Sequence, residues 1–231
     1  MSSVIPLKDN IPTRTFPIIT TGLIFVNIIV FLWQHLALSA SAGAMLYTYY
    51  GLVPRELVAS VLARHDLLPY NMMTVFTSMF LHGGFLHIIG NMLYLWIFGN
   101  NIEDRLGHMG YLLFYLLSGI CAAAFQVLYD PSSEVPMIGA SGAVSGILGA
   151  YLLVYPHARI KTLLIIIIFI KVVDIPAIVL LTVWFFMQFL YTNVDGIAWY
   201  AHVGGFIFGL VFALLFLVRR KGRKTVRASR P

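Results

Sequence analysis

Six apolar blocks, at about Pro17–Leu36, His82–Phe98, Tyr111–Tyr129, Ser141–Tyr155, Ile175–Tyr191 and Trp199–Val218, dominate this 231-residue chain. A helix crosses a bilayer with about 20 residues, because the hydrocarbon core is roughly 30 Å thick and each helical residue rises 1.5 Å. Most of the blocks approach that length. Only 10% of the residues are charged and the mean hydropathy is +0.88, whereas a soluble domain carries about a quarter charged residues. The pattern predicts an all-α membrane protein. A six-helix bundle over 17–218 is expected between a cytoplasmic N-terminal segment, 1–16, and a basic cytoplasmic tail, 219–231, with no separate soluble domain.

Six crossings put both ends on one side, and the basic residues say which. The tail from Arg219 holds seven of the 15 Lys and Arg. Lys8, Arg14, Arg105, Arg159, Lys161 and Lys171 bring that side to 13, leaving only Arg55 and Arg64 outside. The positive-inside rule thus places both termini in the cytoplasm, and the expected location is the cell membrane of a prokaryote. The net charge of +6 follows from topology, and no folded basic surface offers itself to nucleic acid. The single Cys121 excludes an intrachain disulfide and reads as a small packing residue. ALSASAGA, residues 37–44, resembles a signal-peptide cleavage site, but the preceding apolar run is long and its basic flank thin. The first helix is expected to be retained.

Two connecting segments have character of their own. In the outer loop from about Ala37 to Leu81, GLVPRELVASVLARHDL has a proline at a first-turn position. Leu57, Val58, Val61 and Leu62 follow at helical spacing, predicting a short amphipathic helix in the interface. In KTLLIIIIFIKVVDIP, residues 161–176, Lys161, Lys171 and Asp174 bracket only nine uncharged residues. That is about half a crossing, so the segment is expected to be a strand-like or interfacial loop.

Polar side chains are costly in hydrocarbon and tend to mark function. The second block carries His82, His87 and Asn91, the fourth Ser141 and Ser145, and the sixth His202. All three blocks start on the outer side, so His87, Ser141 and His202 fall at one depth. Gly142 and Gly146 on the fourth block, and Gly205 and Gly209 on the sixth, form small-xxx-small pairs that let two backbones approach closely. Packing of those faces would bring Ser141 within reach of His202. An imidazole there would activate the hydroxyl and later return the proton to a leaving amine. His87 and Asn91, four apart on one helix face, and backbone N–H groups at the start of the fourth helix would serve as oxyanion donors. Ser145 lies roughly 6 Å deeper, so Ser141 is the expected nucleophile. Asp174 is cytoplasmic and Asp195 reads as a solvated loop charge, which leaves a Ser–His dyad.

These residues resemble the rhomboid family of intramembrane serine proteases. The resemblance rests on GLVPREL, FTSMFLHGGFLHIIGNMLYLWIFG with its H-x-x-x-N, NIEDRLGH, PMIGASGAVSG with G-x-S-G, YPHARIKTL, and AHVGGFIFG with A-H-x-x-G-x-x-x-G. It spans about Gly51 to Leu210. It implies a six-helix rhomboid bundle that cleaves transmembrane protein substrates within the lipid bilayer, without metal or cofactor. By position it makes Ser141 the nucleophile, His202 the general base, and His87 and Asn91 the oxyanion residues. His82, Glu103, Arg105, Gly139, Gly142, Gly205 and Gly209 match structural positions. The chain departs from many members in having Met73 and Thr74 where they have Trp-Arg. It also has Ser145 where some members stack an aromatic on the histidine, so support for His202 is expected elsewhere, from Tyr200 or Trp199. The competing reading is a non-catalytic protein that binds or escorts membrane helices.

Overall fold

In this computed structural model, which describes residues 2–166, 169–190 and 198–228, each of the six apolar blocks contains a helix. They form α1 (Ile18–Leu36), α5 (Phe85–Tyr94), α7 (His108–Tyr129), α8 (Ser141–Val154), α9 (Ala177–Leu190) and α10 (Trp199–Ala228). The outer loop adds α2 (Ala40–Tyr50), α3 (Pro54–Leu62) and α4 (Leu68–Thr77), and α6 (Asn100–Leu106) continues α5 through a π-helical turn at Leu95–Gly99. By length and composition, α1, α7 and the Trp199–Phe216 part of α10 can cross a membrane. The segments His65–Phe80 and Phe85–Leu106, bent by 84° at their junction, would together make a fourth crossing. α8 and α9 are apolar but have only 14 residues each.

The sequence expectations are corrected at three places. The protein is not all-α, because the described residues include a three-stranded antiparallel sheet of β1 (Ser2–Lys8), β2 (Arg159–Ile166) and β3 (Phe169–Pro176), in the order β1-β2-β3. The strand-like segment was therefore a genuine hairpin, rich in β-branched residues. Its other partner is the N-terminal segment, with Val4 opposite Leu164 and Ile5 opposite Leu163. Lys161 and Asp174, the charges that argued against a crossing, face each other across β2 and β3 and pair at 3.4 Å. The second block enters its helix at Phe85, since His82 precedes an extended Gly84. The fifth enters at Ala177, after β3 has used Ile175 and Pro176.

The outer loop is tied to the segment before Ser141. ALSASAGA contributes to α2, which Ser39 caps by accepting from the Ala42 N–H at 3.3 Å. α3 forms where the spacing predicted it, with Pro54 in its first turn, yet Val61 and Leu62 are exposed. Leu52 exchanges two backbone hydrogen bonds with Met137, and it packs with Val75 and Ala123 in a small satellite core. Thr74 is buried on α4 and donates to the Asn71 carbonyl, while Met73 is exposed.

At the opposite end, carboxylates on α6 hold the chain's entry into α1. That helix begins after Pro17 with no capping side chain of its own. Buried Glu103 supplies the acceptors instead, taking the N–H groups of Ile19 and Thr20 at 2.9 and 2.8 Å and the Thr20 hydroxyl at 2.7 Å. A carboxylate on unpaired N–H groups at the positive end of a helix dipole is favourable on both counts. Asp104 next door accepts from the backbone of Arg14 and Thr15. The Arg105 guanidinium lies over the Phe216 ring, 5.9 Å from its centroid. Asp9, also buried, accepts from Asn101 Nδ2 at 2.5 Å and the Tyr151 hydroxyl at 2.6 Å.

The tightest contact in the bundle is between α8 and α10. A Cβ on Gly205 would overlap the Gly142 carbonyl oxygen, and one on Gly209 would overlap that of Gly146. Backbone cannot move aside as a flexible side chain can. Gly209→Ala is expected to lower the thermal midpoint in detergent by the equivalent of about 1–3 kcal/mol, the usual cost of overpacking. An unchanged midpoint would mean that the helices do not meet there.

Asp9 generates a pH prediction. Burial pushes its carboxyl above the usual carboxylate range. The folded protein then holds the Asp9 proton more readily than the unfolded chain does. The associated stability is present in acid and is lost as pH rises through the raised pKa. Asp9→Asn keeps an acceptor oxygen without a charge to desolvate. Its midpoint is expected at or above that of wild type at about pH 8, the gap closing toward about pH 4; a lower midpoint at the higher pH would contradict this.

Candidate active site

Ser141 is the first residue of α8 and His202 the fourth of α10. The glycine contact lies on the same faces and draws the two together. Ser141 Oγ is 2.8 Å from His202 Nε2, both residues being half-buried. The ladder of α8 opens with Val144 N–H on the Ala140 carbonyl at 3.0 Å, so the N–H groups of Ser141, Gly142 and Ala143 precede it. The start of α10 is itself held from α7, where Gln126 accepts from the Ala201 N–H at 3.2 Å.

Ser145 is placed differently. It is buried, and its hydroxyl donates to the Ser141 carbonyl of its own helix at 2.7 Å. That bond occupies its proton in a local contact.

On α5, the His87 ring accepts from the Gly83 N–H through Nδ1 at 3.3 Å. A neutral imidazole accepting at one nitrogen carries its proton on the other, so Nε2 is a donor. Asn91 Nδ2 gives one hydrogen to the His87 carbonyl at 3.0 Å and retains a second. Both groups lie against Gly139, two residues before the serine. A Cβ there would sit 2.7 Å from His87 Nε2 and 3.7 Å from Asn91 Nδ2. Gly139 also has φ +116°, a conformation natural only to glycine. His82 is fully buried, 5.1 Å from the His87 ring between centroids, with its backbone N–H near Gln34 Oε1 at 3.4 Å and its carbonyl accepting from Tyr47.

Ser141, His202, His87 and Asn91 line one cavity of about 800 Å³, with walls from Phe85, Tyr94, Leu148, Trp184 and Trp199. Among the described residues, no carboxylate lines it and no group of three His, Cys, Asp or Glu side chains is gathered as metal ligands. Asp195 lies outside the described residues.

The chain matches the family model of the Rhomboid domain over residues 69–219. It belongs to the rhomboid family. This rhomboid chain is 29% identical over 171 residues to RHOMBOID-like protein 1 of Arabidopsis thaliana, covering 70% of the chain and 38% of the relative. It is 32% identical over 137 residues to rhomboid protease GluP of Bacillus subtilis, covering 59% of the chain and 24% of the relative. With the mitochondrial rhomboid protein 1 of Saccharomyces cerevisiae it shares 35% identity over 91 residues, 38% of the chain and 26% of the relative. The chain thus spans about a quarter to two-fifths of these relatives' lengths. Family membership and apolar helices together make it an integral membrane protein.

Of the two aromatics expected beside His202, Trp199 stands edge-on to it, with centroids 5.7 Å apart, and Tyr200 stacks on Tyr129 instead. The hydrogen-bonding neighbour is one the sequence reading passed over. Gln188 on α9 has Oε1 2.9 Å from His202 Nδ1. A signal was available, since Gln188 is the only amide in the apolar run of α9. Gln126, within the apolar α7, offered the same signal.

Proposed function

We propose that this rhomboid chain is an intramembrane serine endopeptidase acting through a Ser141–His202 dyad. The observation that carries the reading is the 2.8 Å contact between Ser141 Oγ and His202 Nε2 at the wall of a cavity of about 800 Å³. A named protease among its relatives, GluP, supports the same class of activity.

In the proposed reaction, Ser141 Oγ attacks the scissile carbonyl as its proton passes to His202 Nε2. Negative charge then develops on the carbonyl oxygen. His87 Nε2–H, the free Asn91 N–H and the backbone N–H groups opening α8 are the donors available to it. The imidazolium gives its proton to the departing amine, leaving an acyl-enzyme that water hydrolyses by the reverse proton route. Substrates are helices of membrane proteins, weakened by Gly, Ala or Pro near their outer end. A bond inside a regular helix is screened, and lipid offers no partners for backbone groups freed by unwinding. The polar wall of the cavity does. The proposed topology has six crossings, with α8 and α9 as short spans inside the bundle and both basic ends on the positively biased face. The relatives are bacterial, plant and mitochondrial, and the reading requires only a membrane of that polarity.

A serine-directed phosphonate, read by intact-protein mass, is expected to label wild type and Ser145→Ala but not Ser141→Ala. Labelling lost in Ser145→Ala and kept in Ser141→Ala would reverse the assignment. No labelling of any form, together with retained binding of single-span proteins, would favour the non-catalytic escort.

Asn91→Ala is expected to slow cleavage of a single-span substrate without abolishing it. One oxyanion donor contributes on the order of 3 kcal/mol in the transition state, and two kinds of donor remain. A rate within twofold of wild type would assign Asn91 to packing.

A further inference from the structure

We infer that Gln188 is a positioning residue for the reaction proposed above. It fixes the tautomer and direction of the His202 ring, a task that in a serine hydrolase is commonly given to a carboxylate. The inference rests on the hydrolase reading, and it concerns a contact that reading did not use.

The chain of contacts begins at an atom that can only accept. Gln188 is buried on α9, and its side chain meets two partners, the Trp184 carbonyl at 2.9 Å and His202 Nδ1 at 2.9 Å. A backbone carbonyl has no proton to give, so the amide must turn its Nε2 toward Trp184. Oε1 then faces His202. An amide oxygen is also only an acceptor, so Nδ1 must carry the ring proton. A neutral imidazole with Nδ1 protonated has its lone pair on Nε2, the nitrogen 2.8 Å from Ser141 Oγ. One backbone carbonyl on α9 thus determines, through two side chains, which atom of His202 is the base. The opposite orientation would set two acceptors against each other at Trp184 and leave Nε2 protonated beside the serine.

Among the described residues, no carboxylate, Lys or Arg lines the cavity. The titratable side chains lining the cavity among the described residues are His87, Tyr94 and His202 itself. When Oγ bonds to the substrate carbon and its proton moves to Nε2, the ring becomes a cation. Nδ1–H then donates to the negative end of a fixed amide dipole, which stabilises the cation without burying a formal counter-charge in the bundle. Trp184 and Trp199 hold the ring from other directions, with centroids 6.1 and 5.7 Å away. This supplies what an aromatic at position 145 cannot, since that residue is serine.

The test uses the 231-residue chain in detergent, a fluorogenic single-span substrate and the serine-directed phosphonate, with wild type, Gln188→Leu, Gln188→Glu and Asp195→Asn compared at equal folded yield. Gln188→Leu removes the acceptor while filling the space. It is expected to lower kcat and the phosphonate rate by roughly tenfold or more, a part of what a well-placed base contributes, with KM within twofold. Gln188→Glu restores an acceptor for Nδ1–H and adds a charge that favours imidazolium. It is expected to recover much of kcat at alkaline pH, with the acidic limb of the pH–rate profile moved to higher pH. Asp195→Asn is expected to match wild type. Equal losses in the Leu and Glu variants with an unmoved limb would reduce Gln188 to packing and overturn the inference. So would a Gln188→Leu rate within twofold of wild type, or a loss confined to Asp195→Asn. A wild type inert to both substrate and phosphonate would overturn the hydrolase reading itself, and this inference with it.

Discussion

The arrangement of the candidate site depends on how closely α8 and α10 approach. Their backbones meet where Gly205 and Gly209 face the carbonyls of Gly142 and Gly146, a separation no larger side chain permits. Close approach matters here because the reach of a serine is short. Ser141 and His202 sit one at each helix start, and a displacement of about an ångström would remove their 2.8 Å contact. Small residues in this bundle act as spacers of zero length, turning van der Waals packing into alignment of chemical groups.

Across the bundle, several polar groups are satisfied by partners from distant parts of the chain. Glu103 caps α1 from α6, Asp9 joins the N-terminal segment to Asn101 and Tyr151, Gln126 receives the start of α10, and Gln188 receives His202. In an apolar bundle an unpaired polar group is expensive, so each such pairing selects one packing of the helices over its neighbours. Ser145 obeys the same rule by the shortest route, bonding within its own helix.

The expectations that failed share a cause. An apolar period identifies a buried segment but not the partner that covers it. The run from Lys161 to Pro176 was too short to cross and rich in β-branched residues, so a strand-like form was legible. Its pairing with residues 2–8 was not, because nothing local in VIPLK announces a strand partner some 160 residues away. Likewise the second block reads as helical from His82, and only the fold shows that the chain enters its helix at Phe85 with the Gly83 N–H on His87. Gln188 and Gln126 were visible by the same test that singled out the histidines, a polar side chain in an apolar helix.

By itself the sequence determined the membrane class, the helical blocks and the short set of polar residues from which any site must be built. Each of these follows from composition and local spacing, which are properties of a chain read in one dimension. Tertiary structure alone decided that the Ser141 hydroxyl comes to 2.8 Å from His202 while that of Ser145 turns back to its own helix, that residues 2–8 pair with the strand at 159–166, and that an amide on α9 faces the imidazole. Those are statements about distance between remote residues. Such distances are set by backbone contact and polar pairing across the bundle, and they exist only once the helices have packed.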